Sequence, residues 1–236
     1  MNKSLLKILQ SQGFGSRKEC TWLIKQSGIK IDGELCHDPD QKFTPEGLQF
    51  EVASNQWTYR DKVYIILNKP VGYECSSAPQ HHPSVLEMLP DQFVHRGIRI
   101  AGRLDVDTSG LLLLSDDGQF IHQATSPKKE VRKVYQVGLK HPFSEEQKEK
   151  LEKGVELNSE TGKFTASDIV VVDDNQIQMT IYQGSYHQVK RMIGAVSNRV
   201  ETLERIGIGD FTIDTVSEKG QWRYLEQEEL GNIGYK

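Results

Sequence analysis

Arg103, Asp105 and Asp107 alternate along AGRLDVDTSGLLLLSDDG (residues 101–118), directly before four consecutive leucines. On a strand entering a core, residues two apart share a face, so the guanidinium and both carboxylates would stand together. A carboxylate against an apolar wall is costly unless a cation or hydrogen-bond donors meet it. The backbone N–H groups of Thr108, Ser109 and Gly110 are candidate donors. Paired carboxylates also serve sugar hydrolysis, but Asp105 and Asp107 lie too close on one strand to flank a sugar from opposite sides. The plain alternative is an Asp/Thr/Ser turn that merely starts the leucine strand. Downstream, KVY (133–135) sets Lys133 and Tyr135 on one side of a strand, and the tyrosine offers a flat face and a hydroxyl. YHQVKRM (186–192) gathers His187, Lys190 and Arg191 on one helix face. Taken singly, these are a core tyrosine and a solvated basic helix. His81-His82 has no cysteine or carboxylate at ligand spacing, so no metal site is expected.

Two kinds of segment would position these groups. Residues 4–35 predict two short helices and a hairpin, in a small module ending near residue 55. Leu5, Leu6, Ile8 and Leu9 form an apolar stripe, and Gly13 and Gly15 break it. Ser16 with Glu19 is a capping-box signature for a second helix, which Gly28 stops. IKIDGEL places Asp32-Gly33 at a tight turn. Residues 53–61 are expected to be a linker. From residue 62 the pattern changes to buried strands at 63–68, 98–102 and 111–115, and a half-buried one at 131–139. A short helix is expected over 116–127 and a charged helix capped by Ser144 and Gln147. A hairpin should span 167–183, a helix 185–198, and late strands 209–214 and 222–225. Hairpins outnumber βαβ units. The predicted class is therefore α+β, with a small N-terminal module followed by a larger, mostly antiparallel sheet domain.

The 236 residues are 36% hydrophobic, with a formal charge of -4, which argues against a uniformly basic nucleic-acid binder. The charge is uneven: residues 1–30 hold six basic side chains against Glu19 alone. A local basic face can attract a polyanion, although a solvated helix face explains it as simply. The longest apolar run, Leu111–Leu114, is far short of a membrane span, and no export signal is read at the start. Three cysteines without CxxC spacing suggest reduced thiols in a cytoplasmic protein. No P-loop or GxGxxG is present, and no oligomer seam is visible, so a monomer is expected.

LNKPVG (67–72), GRLDVDTSGLLLLSDDG (102–118), RKVYQV (132–137), GSYHQVKRM (184–192) and LERIGIG (203–209) resemble, in order and spacing, the bacterial ribosomal RNA pseudouridine synthases. SRKE and the IKIDGE hairpin resemble the RNA-binding module named after the fourth ribosomal small-subunit protein. The resemblance implies an RNA-binding module at 1–58 and a catalytic domain at 59–236. YHQVKRM looks like the small-subunit (16S) branch; large-subunit branches more often carry asparagine–arginine in place of Tyr186-His187. Ser185 departs from that branch, which usually has arginine there. The implied partner is ribosomal RNA or a small-subunit assembly intermediate. A large-subunit target and a non-catalytic assembly factor remain the alternatives.

The implied reaction detaches uracil from its ribose and rejoins it through carbon-5. It is neither a redox change nor a net hydrolysis, so no cofactor, nucleotide or metal is expected. Asp105 matches the essential aspartate, acting on the sugar as nucleophile or by removing a ribose proton. Lys190 matches the cation that pairs with it, and Tyr135 the tyrosine that stacks on uracil and is implied to help remove the carbon-5 proton at the end. Leu111 and Leu203 are the expected walls. Arg103 is implied to handle the flipped nucleotide. Further RNA contacts are expected from Arg17, Lys18, Lys25, Arg132, His187, Gln188 and Arg191.

Overall fold

A computed structural model describes residues 1–236, which divide into two compact units. The first comprises residues 1–63 together with 86–99; the second comprises 64–85 and 100–236. The expected boundary at 58/59 therefore lies short of the structural one. Residues 86–99, assigned from sequence to the catalytic part, cluster instead with the N-terminal residues.

In the first unit, helices α1 (Leu5–Ser11) and α2 (Arg17–Ser27) precede the β1 (Ile29–Ile31)–β2 (Glu34–Cys36) hairpin. The Ser16 hydroxyl accepts from the Glu19 N–H while the Glu19 carboxylate accepts from the Ser16 N–H, completing the capping box. Asp32 (φ 49°) and Gly33 (φ 89°) both adopt left-handed backbone at the turn. The presumed linker is a correction: Asn55–Thr58 is a strand, β4, pairing with β3 (Gln49–Val52). It completes a sheet in the order β2-β1-β3-β4. As an edge strand with mostly exposed side chains, it lacks the apolar alternation that would have revealed it. Leu5, Ile8, Leu9, Ile24, Ile29 and Phe50 fill the core of this unit. Its last helix is α3 (Asp91–Arg96).

The second unit is built on a nine-stranded sheet. Its strands are β5 (Tyr64–Lys69), β6 (Thr108–Ser115), β7 (Lys133–Leu139), β8 (Ser167–Asp173) and β9 (Gln176–Ile181), then β10 (Val200–Ile208), β11 (Phe211–Thr212) and β12 (Trp222–Tyr224). The continuous path is β8-β9-β7-β10-β6-β5-β12; β11 pairs with β10, and one further short strand pairs with β6. Every pair on the path is antiparallel except β10 on β6. β5 and β6 are buried almost throughout because both faces are covered, which explains their unbroken apolar runs. Helix α4 (Gly118–Thr125) adds Phe120 and Ala124 to the core around Ile66, Leu111 and Leu113. Helices α5 (Glu145–Lys153) and α6 (Gln188–Ala195) follow β7 and β9. No helix is long and apolar enough to cross a membrane.

β10 was missing from the sequence-based elements, although its residues were noted as a motif. It is the central strand, and its parallel register sets Leu203 opposite Thr108 and Arg205 opposite Gly110. Gly110 is required there. Its φ is +107°, and an added Cβ would lie 2.2 Å from the Arg205 carbonyl oxygen. Gly110→Ala is expected to cost about 3 kcal/mol, from backbone strain and overpacking together. A drop in denaturation midpoint at unchanged slope would measure it.

Candidate active site

Asp105 does not lie on a strand. β6 begins at Thr108, and residues 105–108 form a turn closed by the Thr108 N–H donating to the Asp105 carbonyl at 3.1 Å. The shared-face argument from strand alternation is thus corrected. The backbone donors proposed for the Asp105 carboxylate serve other acceptors, and side chains from α6 meet it instead. Lys190 Nζ donates to Asp105 Oδ2 at 3.0 Å and to Asp107 Oδ1 at 2.6 Å. His187 Nε2 stands 3.3 Å from Asp105 Oδ1. Burial works against the Lys190 charge, but its hydrogen bonds to Asp107 and Asp105 and their charges prevail, raising its pKa. Burial likewise opposes ionisation of Asp107; the Lys190 hydrogen bond and charge outweigh it and lower that pKa. Lys190 therefore stays an ammonium shared by two carboxylates.

The turn is pinned from below. Lys69, the last residue of β5, is fully buried. Its three ammonium protons go to the carbonyls of Pro70 (3.1 Å), Asp105 (3.0 Å) and Thr108 (2.8 Å). Burial lowers its pKa, partly offset by the charges of Cys75, Asp105 and Asp107. The sequence signal for this lysine is its place in the apolar run YIILNKP, where a charge has no reason to sit unless it is fully bonded.

Asp105, Asp107, His187 and Lys190 line a cavity of about 860 Å³ within the second unit. Tyr135 and Lys133 enter it from β7, Leu203 and Arg205 from β10, and Arg103 from the loop before β6. Tyr135 is directly opposite Arg205 in the β7–β10 register. Leu203 lines the cavity. Leu111 does not: it belongs to the core, and Leu113 takes the lining position. Burial, with the charge of Arg205 added, lowers the Lys133 pKa to about 8. At the rim, Tyr186 is 73% exposed and stacks on His187 with ring centroids 3.7 Å apart.

The other expected RNA contacts divide. Arg103 is exposed at the cavity, and Arg17, Lys18 and Lys25 are exposed on α2 of the first unit. Arg132 is half committed, donating to the Gly209 carbonyl at 2.7 Å and pairing with Asp210 at 3.3 Å. Arg191 turns inward to Glu160 (3.1 Å) and to the carbonyls of Tyr186 and Asn158. Gln188 is buried; its oxygen accepts from the Ser185 N–H at 3.1 Å, which holds the start of α6. Sequence reasoning gave no role to Lys69 or Arg205.

An anion held by a cation, next to an aromatic face and an apolar wall, can stabilise positive charge developing on a sugar while keeping water out. Residues 63–195 match the family model described as RNA pseudouridylate synthase. "Ribosomal small subunit pseudouridine synthase A" from Yersinia pestis is 38% identical over 229 residues, covering 97% of each chain. The protein of the same name from Escherichia coli (strain K12) is 38% identical over 210 residues, covering 89% of this chain and 90% of its own. A solved structure described as a pseudouridylate synthase superposes with a TM-score of 0.68 at 34% identity, covering 98% of this chain and 99% of that one. The chain belongs to the RNA pseudouridylate synthase family.

Proposed function

We propose that this protein isomerises a uridine of small-subunit (16S) ribosomal RNA to pseudouridine in the cytoplasm, acting as a monomer on the RNA or on a small-subunit assembly intermediate. The observation that carries the reading is the Asp105–Lys190 contact of 3.0 Å in a cavity that also holds Tyr135 and Leu203. Full-length similarity to proteins named for the small subunit supports the target.

The flipped uridine enters with its base on Tyr135 and its ribose over Asp105. As the base–ribose bond breaks, positive charge grows on the sugar and the carboxylate stabilises it. Lys190 holds that carboxylate in place through its 3.0 Å hydrogen bond, and Leu203 with Leu113 keeps water from the detached base. The uracil turns and rejoins through carbon-5. Asp105 forms and releases any bond to the sugar within the cycle, so atoms balance without a co-reactant. Arg103 holds the extruded nucleotide, since a guanidinium both stacks and binds phosphate.

Mapping pseudouridine in ribosomal RNA from a strain lacking the protein, with and without its return, tests the reading. One small-subunit position is expected to lose and regain the modification. A change confined to large-subunit RNA would overturn the target, and no change in either would overturn the activity. The first unit, with exposed Arg17, Lys18 and Lys25, acts as an RNA grip. Changing all three to glutamine is expected to weaken binding about tenfold or more and to lower the slope of log affinity against log salt by about two. An unchanged slope would remove these residues from the interface.

A further inference from the structure

Arg205 is 3% exposed and has no carboxylate partner. Its Nε donates to the Leu111 carbonyl at 2.8 Å, and its Nη1 lies 3.5 Å from the Tyr135 hydroxyl. Its Nη2 has no hydrogen-bond partner and is closed off from solvent. A buried guanidinium is normally matched by an anion, because desolvating it alone is expensive. Here the neighbouring charges include further cations: Arg205 disfavours the charged forms of both Lys133 and Lys69. A residue serving packing alone would not need that charge. One acceptor stands in front of it, the phenol oxygen of Tyr135.

We infer that Arg205 is a positioning residue that readies Tyr135 to remove the proton from carbon-5 of the rejoined uracil. The inference rests on the proposed pseudouridine synthesis and on Tyr135 facing the base. A phenol oxygen that accepts from a guanidinium has its own proton free to leave, and the nearby cation stabilises the phenolate that remains. Once carbon-5 has bonded to the ribose, its C–H bond breaks. The electron pair restores the ring double bond between carbon-5 and carbon-6, and the phenolate takes the proton. The proton that Tyr135 shed beforehand balances the one that nitrogen-1 finally gains, so the isomerisation stays neutral overall. Asp105 is less suited to this step, because Lys190 and His187 occupy its oxygens.

Other titratable groups share the cavity. Lys133 lies on the same strand as Tyr135, Asp105 and Asp107 lie before β6, and His187 and Lys190 come from α6. Glu74, Cys75 and the permanently charged Arg103 complete the set. Only Arg205 places a hydrogen-bond donor against the Tyr135 oxygen.

Two measurements on the full chain test the inference. In RNA-free protein with carbon-13-labelled tyrosine, the Tyr135 ring signal, assigned by Tyr135→Phe, is titrated in wild type and Arg205→Gln. The midpoint is expected to rise by about one pH unit or more in the variant. In single-turnover reactions, RNA with deuterium at carbon-5 of the target uridine is compared with ordinary RNA. Arg205→Gln is expected to slow at least about twofold on deuteration while wild type changes little, because proton removal becomes limiting. An unchanged midpoint, or the same isotope response in both proteins, would overturn the proposal. Should Arg205→Gln not fold, Arg205→Lys carries the titration, since a single ammonium cannot reproduce the fork. A rise of about half a unit is then expected, and no rise overturns the coupling. Wild-type protein that forms no pseudouridine would defeat the proposed function instead, while the titration still judges Arg205 against Tyr135.

Discussion

Replacing Asp105 by asparagine is expected to reduce pseudouridine formation by about 10⁴-fold or more while leaving RNA affinity nearly unchanged. The two side chains have almost the same shape, so the turn and the cavity survive. What disappears is the negative charge, and with it the stabilisation of a sugar losing its base. The cost to folding should be small, about 1 kcal/mol or less, because the Asp105–Lys190 pair is partly solvated and Lys190 retains Asp107. Single-turnover kinetics at saturating RNA, paired with a filter-binding titration, separate the two quantities. A variant with more than a few per cent of the wild-type rate would remove Asp105 from the chemistry. A variant that binds RNA poorly would make it a binding residue instead.

The second large effect is expected at a residue that touches no substrate. Lys69→Met is expected to lose about 3 kcal/mol of stability and to slow the reaction at least about tenfold where the protein remains folded. Methionine fills similar volume but leaves the Pro70, Asp105 and Thr108 carbonyls without their donor. Each stranded carbonyl costs about 1–3 kcal/mol, partly offset because no ammonium need be desolvated. The pH dependence has a defined sign. Burial sets the folded-state pKa of Lys69 below its ordinary value of 10.5. Between those two values the unfolded chain holds more protons, so the contribution of Lys69 to stability rises with pH across that alkaline window and is flat below it. Lys69→Met should lack that component. Denaturant midpoints measured across the window check the sign, and a loss below about 1 kcal/mol at neutral pH would show that the three bonds do not hold the turn.

Local chemistry was legible in the sequence. The Ser16–Glu19 box and the Asp32-Gly33 turn depend on residues at most three apart, and both formed as expected. The leucine strand and β7 were recognisable because burial leaves a pattern in one dimension. β10 was not: LERIGIG carries Glu204, Arg205 and two glycines, and its place is set by a parallel neighbour nearly a hundred residues earlier in the chain. The same distance in sequence hid Arg205, which reads as a surface charge until Tyr135 and Gly110 are brought beside it. Arg191 and Gln188 erred in the other direction. Helical spacing singled out Arg191 and the YHQVKRM resemblance brought in Gln188, but neither can tell a free side chain from one bonded inward to Glu160 or to the Ser185 N–H.

The one parallel pairing on the continuous strand path limits how this chain can vary. Leu203 and Arg205 face the cavity only because β10 is in step with β6 on one side and β7 on the other. One extra amino acid inserted between Asn198 and Leu203 would turn both side chains to the opposite face at once. The β8–β9 hairpin, at the far end of the path, can lengthen at its Asp174-Asn175 tip without that penalty. Natural or designed diversification should therefore accumulate at the periphery and leave the spacing of the three middle strands untouched.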